Sequence, residues 1–409
     1  MNYKIFICLA LMFAGNGLFA QNKLNEYLET AARNNPALKA KFNEYNATLE
    51  KIPQAGALPD PQLTFGYFIM PVETKNGPQR AKISFTQMFP WFGTLNNRKN
   101  IYISVAKSKY EDFEEAKSKL FFDVKSTYYD LYFIKKSIDI TIENIALLEK
   151  FKRLALIKIE AGTASAVDEL RVELEQNDLE NDLALLKDKW YVNKVKFNNL
   201  LNVAAGSHVE IPGTVPGTNL KYSKREIMDT LAVNNHLIKS LDLIKESFVF
   251  KEKQGKKQGS PDIFAGFDYS AVGKQDISSG TGKDALMLKV GITIPLYRKK
   301  YSAMVKEAVI QQQIVNDRKF DKTNMLNTLF EKVYSEYSDA VRRIELYKKQ
   351  SIIAARAIKL LENEYANSGY DFVEILRMER KVLKYSLELE KARADKQVAI
   401  AFINYLMGM

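Results

Sequence analysis

The sequence predicts a mainly α-helical fold in which two structural repeats combine long coiled-coil helices with four β-strands long enough to cross a membrane. Three observations support this. A proline-free stretch of 69 residues runs from Thr94 to Gly162, short motifs recur about 200 positions apart, and four segments alternate apolar and polar residues. A helix of that length is about 100 Å long, which a globule of this size cannot enclose. The chain is therefore a rod, or one of several copies that build a tube.

The first twenty residues are predicted to be a secretory signal peptide. Lys4 precedes an apolar run from Ile5 to Ala14, and the small-residue exit Leu18-Phe19-Ala20 precedes Gln21. The mature chain is expected to begin at Gln21 and to lose the single cysteine, Cys8. Because no cysteine stands at the cleavage point, we expect no lipid anchor. Because the mature chain would contain no cysteine, we expect no disulfide and no thiolate metal ligand.

The charge of the chain does not indicate nucleic acid as a partner. It has 60 Lys and Arg against 49 Asp and Glu, a net charge of +11, but these charges lie in mixed-sign runs along predicted helices. Beyond the signal, no apolar run reaches the ~18 residues that a membrane helix needs. Three destinations remain for an exported chain: the periplasm, secretion, or an outer membrane crossed by β-strands.

The first repeat, residues 21–202, contains helices, a strand hairpin and two further helices. Helical periodicity from Leu24 to Gln54 is interrupted at Asn34-Asn35-Pro36. Alternating segments at Gln62–Met70 and Lys82–Phe89 predict a β-hairpin. The long helix follows, and then a second helix from Ser165 to Asn202 with apolar residues at coiled-coil spacing.

A Pro- and Gly-rich linker, residues 203–222, separates this repeat from a second one at residues 223–409. Asn34-Asn35 and Pro61-Gln62 recur 200 positions later as Asn234-Asn235 and Pro261-Asp262, and Val167-Asp168-Glu169-Leu170 recurs 206 positions later as Val373-Glu374-Ile375-Leu376. Several matches in register indicate a duplication.

The four predicted strands are each about ten residues long, which suffices to cross a bilayer when a strand is tilted. Alternation alone describes a soluble sheet with one wet face equally well. Four strands cannot close a barrel, and an open sheet in lipid would leave backbone edges unpaired, so three chains with twelve strands are expected. The aromatic residues predicted to stand at strand ends, as a membrane-interface belt, are Tyr67, Phe68, Trp91, Phe92, Tyr269 and Tyr297.

The order of these elements, together with four stretches, resembles the TolC family of outer-membrane efflux channels. The stretches are Leu58-Pro-Asp-Pro-Gln, Gln87-Met-Phe-Pro-Trp-Phe-Gly and the segments that begin at Glu160 and Tyr365. The resemblance implies a homotrimeric α/β-barrel channel in the outer membrane, in contact with its lipid and with a large periplasmic portion. It also implies a periplasmic adaptor protein and an inner-membrane pump of the RND type. In the Phe-Pro-Trp-Phe-Gly region the chain most resembles the heavy-metal and multidrug efflux branch. The expected cargo is metal ions or small molecules, although similar tunnels also pass protein substrates.

In this family the coiled-coil ends converge at a constricted periplasmic entrance, and the resemblance places Asp168, Glu374 and Tyr365 there. A ring of like charges could filter and gate the pore. Two alternatives remain open. Ser165-x-x-Asp168 and Asp371-x-x-Glu374 also fit N-cap boxes, and Tyr365 also fits a packing role. Arg377 stands where some family members carry a second acid.

No catalytic site, metal site or cofactor is predicted. His208 and His236 lie far apart and no cysteine accompanies them in the mature chain, so they fit neither a zinc site nor a catalytic triad. The first functional hypothesis is therefore a passive exit duct. The alternative is a periplasmic or surface coiled-coil scaffold with small soluble hairpins.

Overall fold

The structure is a computed structural model that describes residues 23–215, 217–274, 282–368 and 372–409. The predicted signal peptide, residues 1–20, lies outside the described residues, as does Asp371 of the second predicted N-cap box. Within the described residues, no helix is long and apolar enough to span a membrane.

The first repeat contains five helices and a β-hairpin. In order they are α1 (described over residues 23–34), α2 (Pro36–Leu49), α3 (Lys51–Gly56), β1 (Gln62–Val72), β2 (Gln79–Phe89), α4 (Thr94–Glu160) and α5 (Ala166–Leu201). The predicted long helix is confirmed. Both strands extend two or three residues beyond their predicted ends toward a tight turn in which Thr74 and Gly77 exchange backbone hydrogen bonds of 3.3 and 3.0 Å.

The second repeat presents the same order without a counterpart of α3. Its elements are α6 (Lys224–Asn234), α7 (His236–Gln258), β3 (Ile263–Val272), β4 (Ala285–Ile292), α8 (Arg298–Ser368) and α9 (Phe372–Leu406). The described residues of the linker, 203–222, form neither helix nor strand. The predicted duplication of elements is confirmed, and the exact repeat boundaries stay a prediction.

The chain folds into two compact units, and each unit contains segments of both repeats. The helical unit contains the described residues up to Ala40 together with Glu114–His236 and Thr323–Met409. The sheet unit contains Lys41–Phe113 and Leu237–Lys322. The core of the helical unit is built from large buried side chains such as Tyr132, Phe197 and Leu148, which belong to the long helices.

Equivalent asparagines interrupt the first helix of each repeat in the helical unit. Asn35 accepts a hydrogen bond from Leu38 N at its Oδ1 (3.1 Å) and donates from Nδ2 to the carbonyl of Leu200 (3.1 Å). Asn235, which is 2% exposed, donates to the carbonyl of Leu406 (2.9 Å). The two acceptors lie 206 positions apart, so the duplication preserves a contact between the start and the end of each repeat.

Replacing Asn235 by alanine is expected to lower the free energy of unfolding by about 1–3 kcal/mol, because the buried carbonyl of Leu406 loses its donor. Asn35→Ala should cost less, since Asn35 is only partly buried. Thermal unfolding followed by circular dichroism measures both. Asn234→Ala, at the exposed neighbouring position, is the matched control and should leave the midpoint unchanged. A loss at Asn234 as large as that at Asn235 would contradict the assignment.

In the sheet unit, the four strands form one antiparallel sheet in the order β1-β2-β3-β4. Leu63 pairs with Phe85, Phe85 with Phe267 and Phe267 with Leu288, so these side chains share one face. That face is apolar and open, with Leu63 72%, Leu288 80% and Val290 78% exposed. Both outer strands, β1 and β4, have one edge without a partner strand in this protomer.

The opposite face of the sheet is polar. The carboxylate of Asp268 contacts the ammonium groups of Lys82 and Lys289, each at 2.8 Å. The Asp268 side chain is 6% exposed, so the two lysines enclose it. The predicted division into an apolar face and a polar face is therefore present on all four strands.

Candidate functional site

The turn between α4 and α5 closes one end of a helical hairpin in the helical unit. Gly162 has a φ of +69°, Thr163 N donates to the carbonyl of Lys158 (2.8 Å) and Gly162 N to that of Ile159 (2.9 Å). This is a Schellman C-cap, which favours glycine because an L side chain is strained at positive φ. Ser165 then caps α5, where its hydroxyl accepts a hydrogen bond from Val167 N (3.2 Å).

Both predicted constriction acids form an ion pair with an arginine one turn later on the same helix. Arg171 Nη1 lies 3.1 Å from Asp168 Oδ1, and Arg377 Nη1 lies 3.1 Å from Glu374 Oε1. The two pairs are equivalent positions of the duplication. Asp168 is mostly buried, with 14% of its side chain exposed, whereas Glu374 is 42% exposed. Ser165 caps its helix as predicted, but the Asp168 carboxylate binds Arg171.

Tyr365 is packed inside the protomer. It is 2% exposed, its ring centroid lies 5.0 Å from that of Phe372, and Lys158 Nζ lies 4.7 Å from its centroid. Its hydroxyl is buried and has no hydrogen-bond partner among the described residues. Burial, and then the negative charge of Asp168, raise the pKa of Tyr365. The structure therefore brings Tyr365 near Asp168 and favours the packing interpretation for this residue.

A buried polar cluster farther along the same helices was not predicted. Glu379 of α9 is 0% exposed, and both its carboxylate oxygens, together with Oδ1 of Asn144 on α4, have no hydrogen-bond partner within the described chain. Glu175 of α5 is also buried, and its Oε2 accepts a hydrogen bond from Arg380 Nε (2.8 Å). Burial raises the pKa of Glu379 to about 7, and the charge of Glu175 adds to this, while Asn144 and Arg380 act in the opposite direction.

A signal for this cluster is present in the sequence. Phe372, Leu376, Glu379 and Leu383 follow one another at three- and four-residue spacing, so a carboxylate interrupts an otherwise apolar stripe. The buried residues around this stripe form one hydrophobic cluster that includes Leu148, Val172 and Ile375. A charged residue at such a position is expensive to bury unless it is paired or protonated.

In the sheet unit, three of the predicted interface aromatics lie beyond the strand ends and three lie within strands. Trp91, Phe92 and Tyr297 lie beyond the strand ends, next to α4 and α8, and Phe92 and Tyr297 are 74% and 83% exposed. Tyr67 and Phe68 lie in the middle of β1, so their predicted placement at a strand end is wrong, because β1 continues to Val72. Tyr269 lies three residues before the end of β3.

The described residues contain no group of three or more His, Cys, Asp or Glu side chains placed to hold a metal ion. In the helical unit, Asp168 and Glu374 are paired with arginines, and Glu175 and Glu379 are buried. The sheet unit offers an apolar face, a polar face and two open edges.

Three solved structures are similar to this chain over nearly its whole length. The outer-membrane channel OprN is 13% identical with a TM-score of 0.77, over 95% of this chain and 90% of that one. The outer membrane protein VceC from Vibrio cholerae is 14% identical with a TM-score of 0.76, over 95% and 97%. The Neisseria gonorrhoeae MtrE outer membrane channel, in its open state, is 12% identical with a TM-score of 0.77, over 94% and 89%.

This chain has the outer-membrane channel fold. The predicted resemblance to the TolC family and the predicted fold class are thus confirmed at the level of the fold. No family model and no curated protein matches the sequence. With identities of 14% or less over nearly the whole chain, the likeness is one of fold.

Proposed function

We propose that this protein is the passive exit duct of a tripartite efflux system in an outer membrane. Three copies would join their four-stranded sheets edge to edge into a barrel of twelve strands, and the channel would have a large periplasmic portion. The duct would carry metal ions or small molecules, and a periplasmic adaptor and an inner-membrane pump of the RND type would deliver them. OprN, VceC and MtrE, which share the fold, are outer-membrane proteins by description.

The observation that supports this proposal most is the two-faced open sheet. Its apolar face exposes large side chains on every strand, including Phe65 at 69% and Leu286 at 68%, which a soluble protein rarely leaves in contiguous patches. Its polar face carries the Asp268 ion pairs, which suit a water-filled interior. The free edges of β1 and β4 supply the backbone groups with which neighbouring copies would pair.

The alternative, a soluble coiled-coil scaffold, is less well supported because it would leave the apolar face in water. Extraction and reconstitution separate the two. The duct hypothesis expects the purified chain to partition into membranes, to migrate as a heat-modifiable trimer and to conduct ions in planar bilayers. A monomer that stays in the aqueous phase and conducts nothing would favour the scaffold.

If Asp168 and Glu374 lie at the entrance, three copies would form a ring there of the two carboxylate–guanidinium pairs found in one chain. Because Arg171 and Arg377 compensate Asp168 and Glu374, the entrance would be less selective for cations than a ring of bare acids. Each pair joins two residues of the same helix, so it would stabilise the first turns of α5 or of α9 and would not link the two helices.

The Asp168→Ala, Glu374→Ala double variant is expected to raise single-channel conductance, because the smaller side chains widen the proposed constriction. It should also weaken block by divalent cations, because it removes the negative charges and leaves Arg171 and Arg377 uncompensated. The Arg171→Ala, Arg377→Ala double variant is the matched comparison, because it removes the positive partner of each pair instead of the negative one. It leaves the acids uncompensated, so block by divalent cations should become stronger. Planar-bilayer recordings in KCl with added Mg²⁺ measure both effects. Unchanged conductance and block in both variants would limit these residues to helix capping.

A further inference from the structure

A dense basic region lies at the end of the sheet where the helices begin. Three ten-residue segments, 91–100, 251–260 and 292–301, contain nine Lys and Arg residues and one acid, Glu252. These thirty residues carry a net charge of +8, compared with +11 for the whole chain. The remaining chain is therefore nearly balanced, and its positive excess is concentrated here. We call these three segments the basic collar.

Hydrogen bonds hold the three segments of the collar together within the sheet unit, and Asp262, just outside the collar, bridges two of them. Trp91 N donates to Asp262 Oδ1 (2.9 Å), and Thr293 N donates to the carbonyl of Asp262 (2.8 Å). Arg298 Nη1 donates to the carbonyl of Gly259 (3.4 Å). A Cβ built on Gly93 would lie 3.9 Å from Cε of Lys257. The basic residues, although far apart in sequence, thus form one surface.

Seven of the nine basic residues of the collar are exposed, whereas Arg98 and Lys251 are half-buried and Lys251 pairs with Glu307 at 2.8 Å. Lys257, Arg298, Lys299 and Lys300 are all exposed, and the single acid, Glu252, is engaged with Lys256 at 2.6 Å. Most surface lysines contact only water, but the lysines of the collar lie beside exposed apolar and aromatic side chains. Lys300 Nζ lies 5.7 Å from the ring centroid of Tyr301.

The collar begins where the apolar face of the sheet ends. Ile292, Ile294 and Leu296 are 56%, 68% and 75% exposed, and Tyr297 follows at 83%. The three basic residues Arg298 to Lys300 come directly after it. Along the chain, exposed apolar residues are followed by an aromatic residue and then by basic residues. The same order of chemistry runs from the hydrocarbon core of a bilayer through its interface to the headgroups.

We propose that the basic collar binds the headgroups of anionic phospholipids in the membrane leaflet on the helix side of the sheet. This inference rests on the proposed function, because it requires the apolar face to lie in a bilayer. Lysine and arginine near such a surface attract phosphate-bearing lipids, and the density of positive charge distinguishes phosphatidylglycerol from zwitterionic lipids. The collar would enrich anionic lipid around the channel and fix the depth of the barrel in the membrane.

Trp91 provides a reporter within the collar. The chain has two tryptophans, and Trp190 lies on α5 in the helical unit, so a Trp190→Phe background leaves Trp91 as the sole fluorophore. The full chain is reconstituted in phosphatidylcholine vesicles that contain either brominated phosphatidylglycerol or brominated phosphatidylcholine. Bromine quenches tryptophan on contact, so the ratio of the two quenching efficiencies measures the local enrichment of anionic lipid.

Wild-type quenching is expected to show about fivefold or greater enrichment of phosphatidylglycerol, the gain expected from one basic residue at a charged surface. The Lys257→Gln, Lys299→Gln, Lys300→Gln variant should fall toward no enrichment. The matched control is Lys187→Gln, Lys189→Gln, Lys196→Gln on α5, which removes the same charge from exposed positions and should retain the enrichment. Raising the salt concentration should reduce the enrichment in the wild type and the control.

The quenching of Trp91 distinguishes a collar that does not select anionic lipid from a sheet that does not enter the membrane. If both brominated lipids quench Trp91 equally in the wild type, the protein is in the bilayer but the collar does not select anionic lipid, which overturns this inference alone. Loss of enrichment in the α5 control as great as in the collar variant would also overturn it. If neither lipid quenches Trp91, the sheet is not in the membrane, and the proposed function fails as well.

Discussion

At pH 8, the Glu379→Gln variant is expected to unfold at a higher temperature than the wild type. Glu379 is completely buried, its two carboxylate oxygens have no hydrogen-bond donor among the described residues, and the charge of Glu175 lies close enough to raise its pKa. An ionised carboxylate in this position leaves several acceptors unsatisfied. A proton on Glu379 supplies the missing donor, and glutamine, which is nearly isosteric, supplies one at every pH.

The sign of the pH dependence follows from the direction of the shift. The pKa of Glu379 is about 7 in the folded protein, compared with an ordinary glutamate value of 4.5. The folded state therefore holds the proton more tightly than the unfolded state. The stabilisation that protonated Glu379 contributes is fully present below the unfolded pKa of about 4.5. It decreases as the pH rises from there and is lost once the pH passes about 7. The loss is about 3 kcal/mol, since one pKa unit corresponds to about 1.4 kcal/mol.

Thermal unfolding at pH 4.5, 6 and 8, followed by the helical circular dichroism signal, tests this prediction. The wild type should lose stability across this range through Glu379, and Glu379→Gln should remove that part of the slope. Glu388→Gln, at a partly exposed position of the same helix, is the matched control and should keep the wild-type slope. If Glu379→Gln unfolds at a lower temperature than the wild type at pH 8, Glu379 is ionised and stabilised by a partner.

The fold could be predicted from the sequence because its signals are long and repeated. The interruption at Asn35 recurs at Asn235, and α4 has no proline or glycine that would end it before Gly162. The strands alternate over enough residues to define two faces. Each of these features depends on backbone propensity and on periodicity, which are local properties that a single sequence records.

The candidate site was less predictable because its properties depend on which helices meet. Asp168 and Glu374 were found through the duplication and the resemblance, but their pairing with Arg171 and Arg377 depends on side-chain conformation. The burial of Glu379 depends on α4 and α5 packing against α9. Tyr67 was misplaced for a different reason. A strand end is set by the turn that follows, and the turn between β1 and β2 is shorter than its polar sequence indicated.

Replacing Leu288 by arginine is expected to have the largest effect on assembly of the proposed barrel. Leu288 is 80% exposed on the apolar face and pairs with Phe267 near the middle of β3. An arginine on the lipid face costs roughly 2–4 kcal/mol at the bilayer midplane and roughly 0–1 near the interface. The cost should therefore decrease from Leu288→Arg through Val290→Arg to Ile294→Arg, which approaches the basic collar.

The fraction of heat-modifiable trimer recovered from membranes measures this series. Met287→Arg is the matched control, because Met287 is the adjacent residue on the opposite face and is also exposed, at 52%. Successive residues of a strand face opposite sides, so Met287→Arg places the same charge in the proposed water-filled interior and should assemble almost normally. If Met287→Arg fails and Leu288→Arg assembles, the two faces are assigned the wrong way round. Normal assembly of all four variants would show that neither face contacts lipid, because only a hydrocarbon environment makes an arginine at Leu288 more costly than one at Ile294.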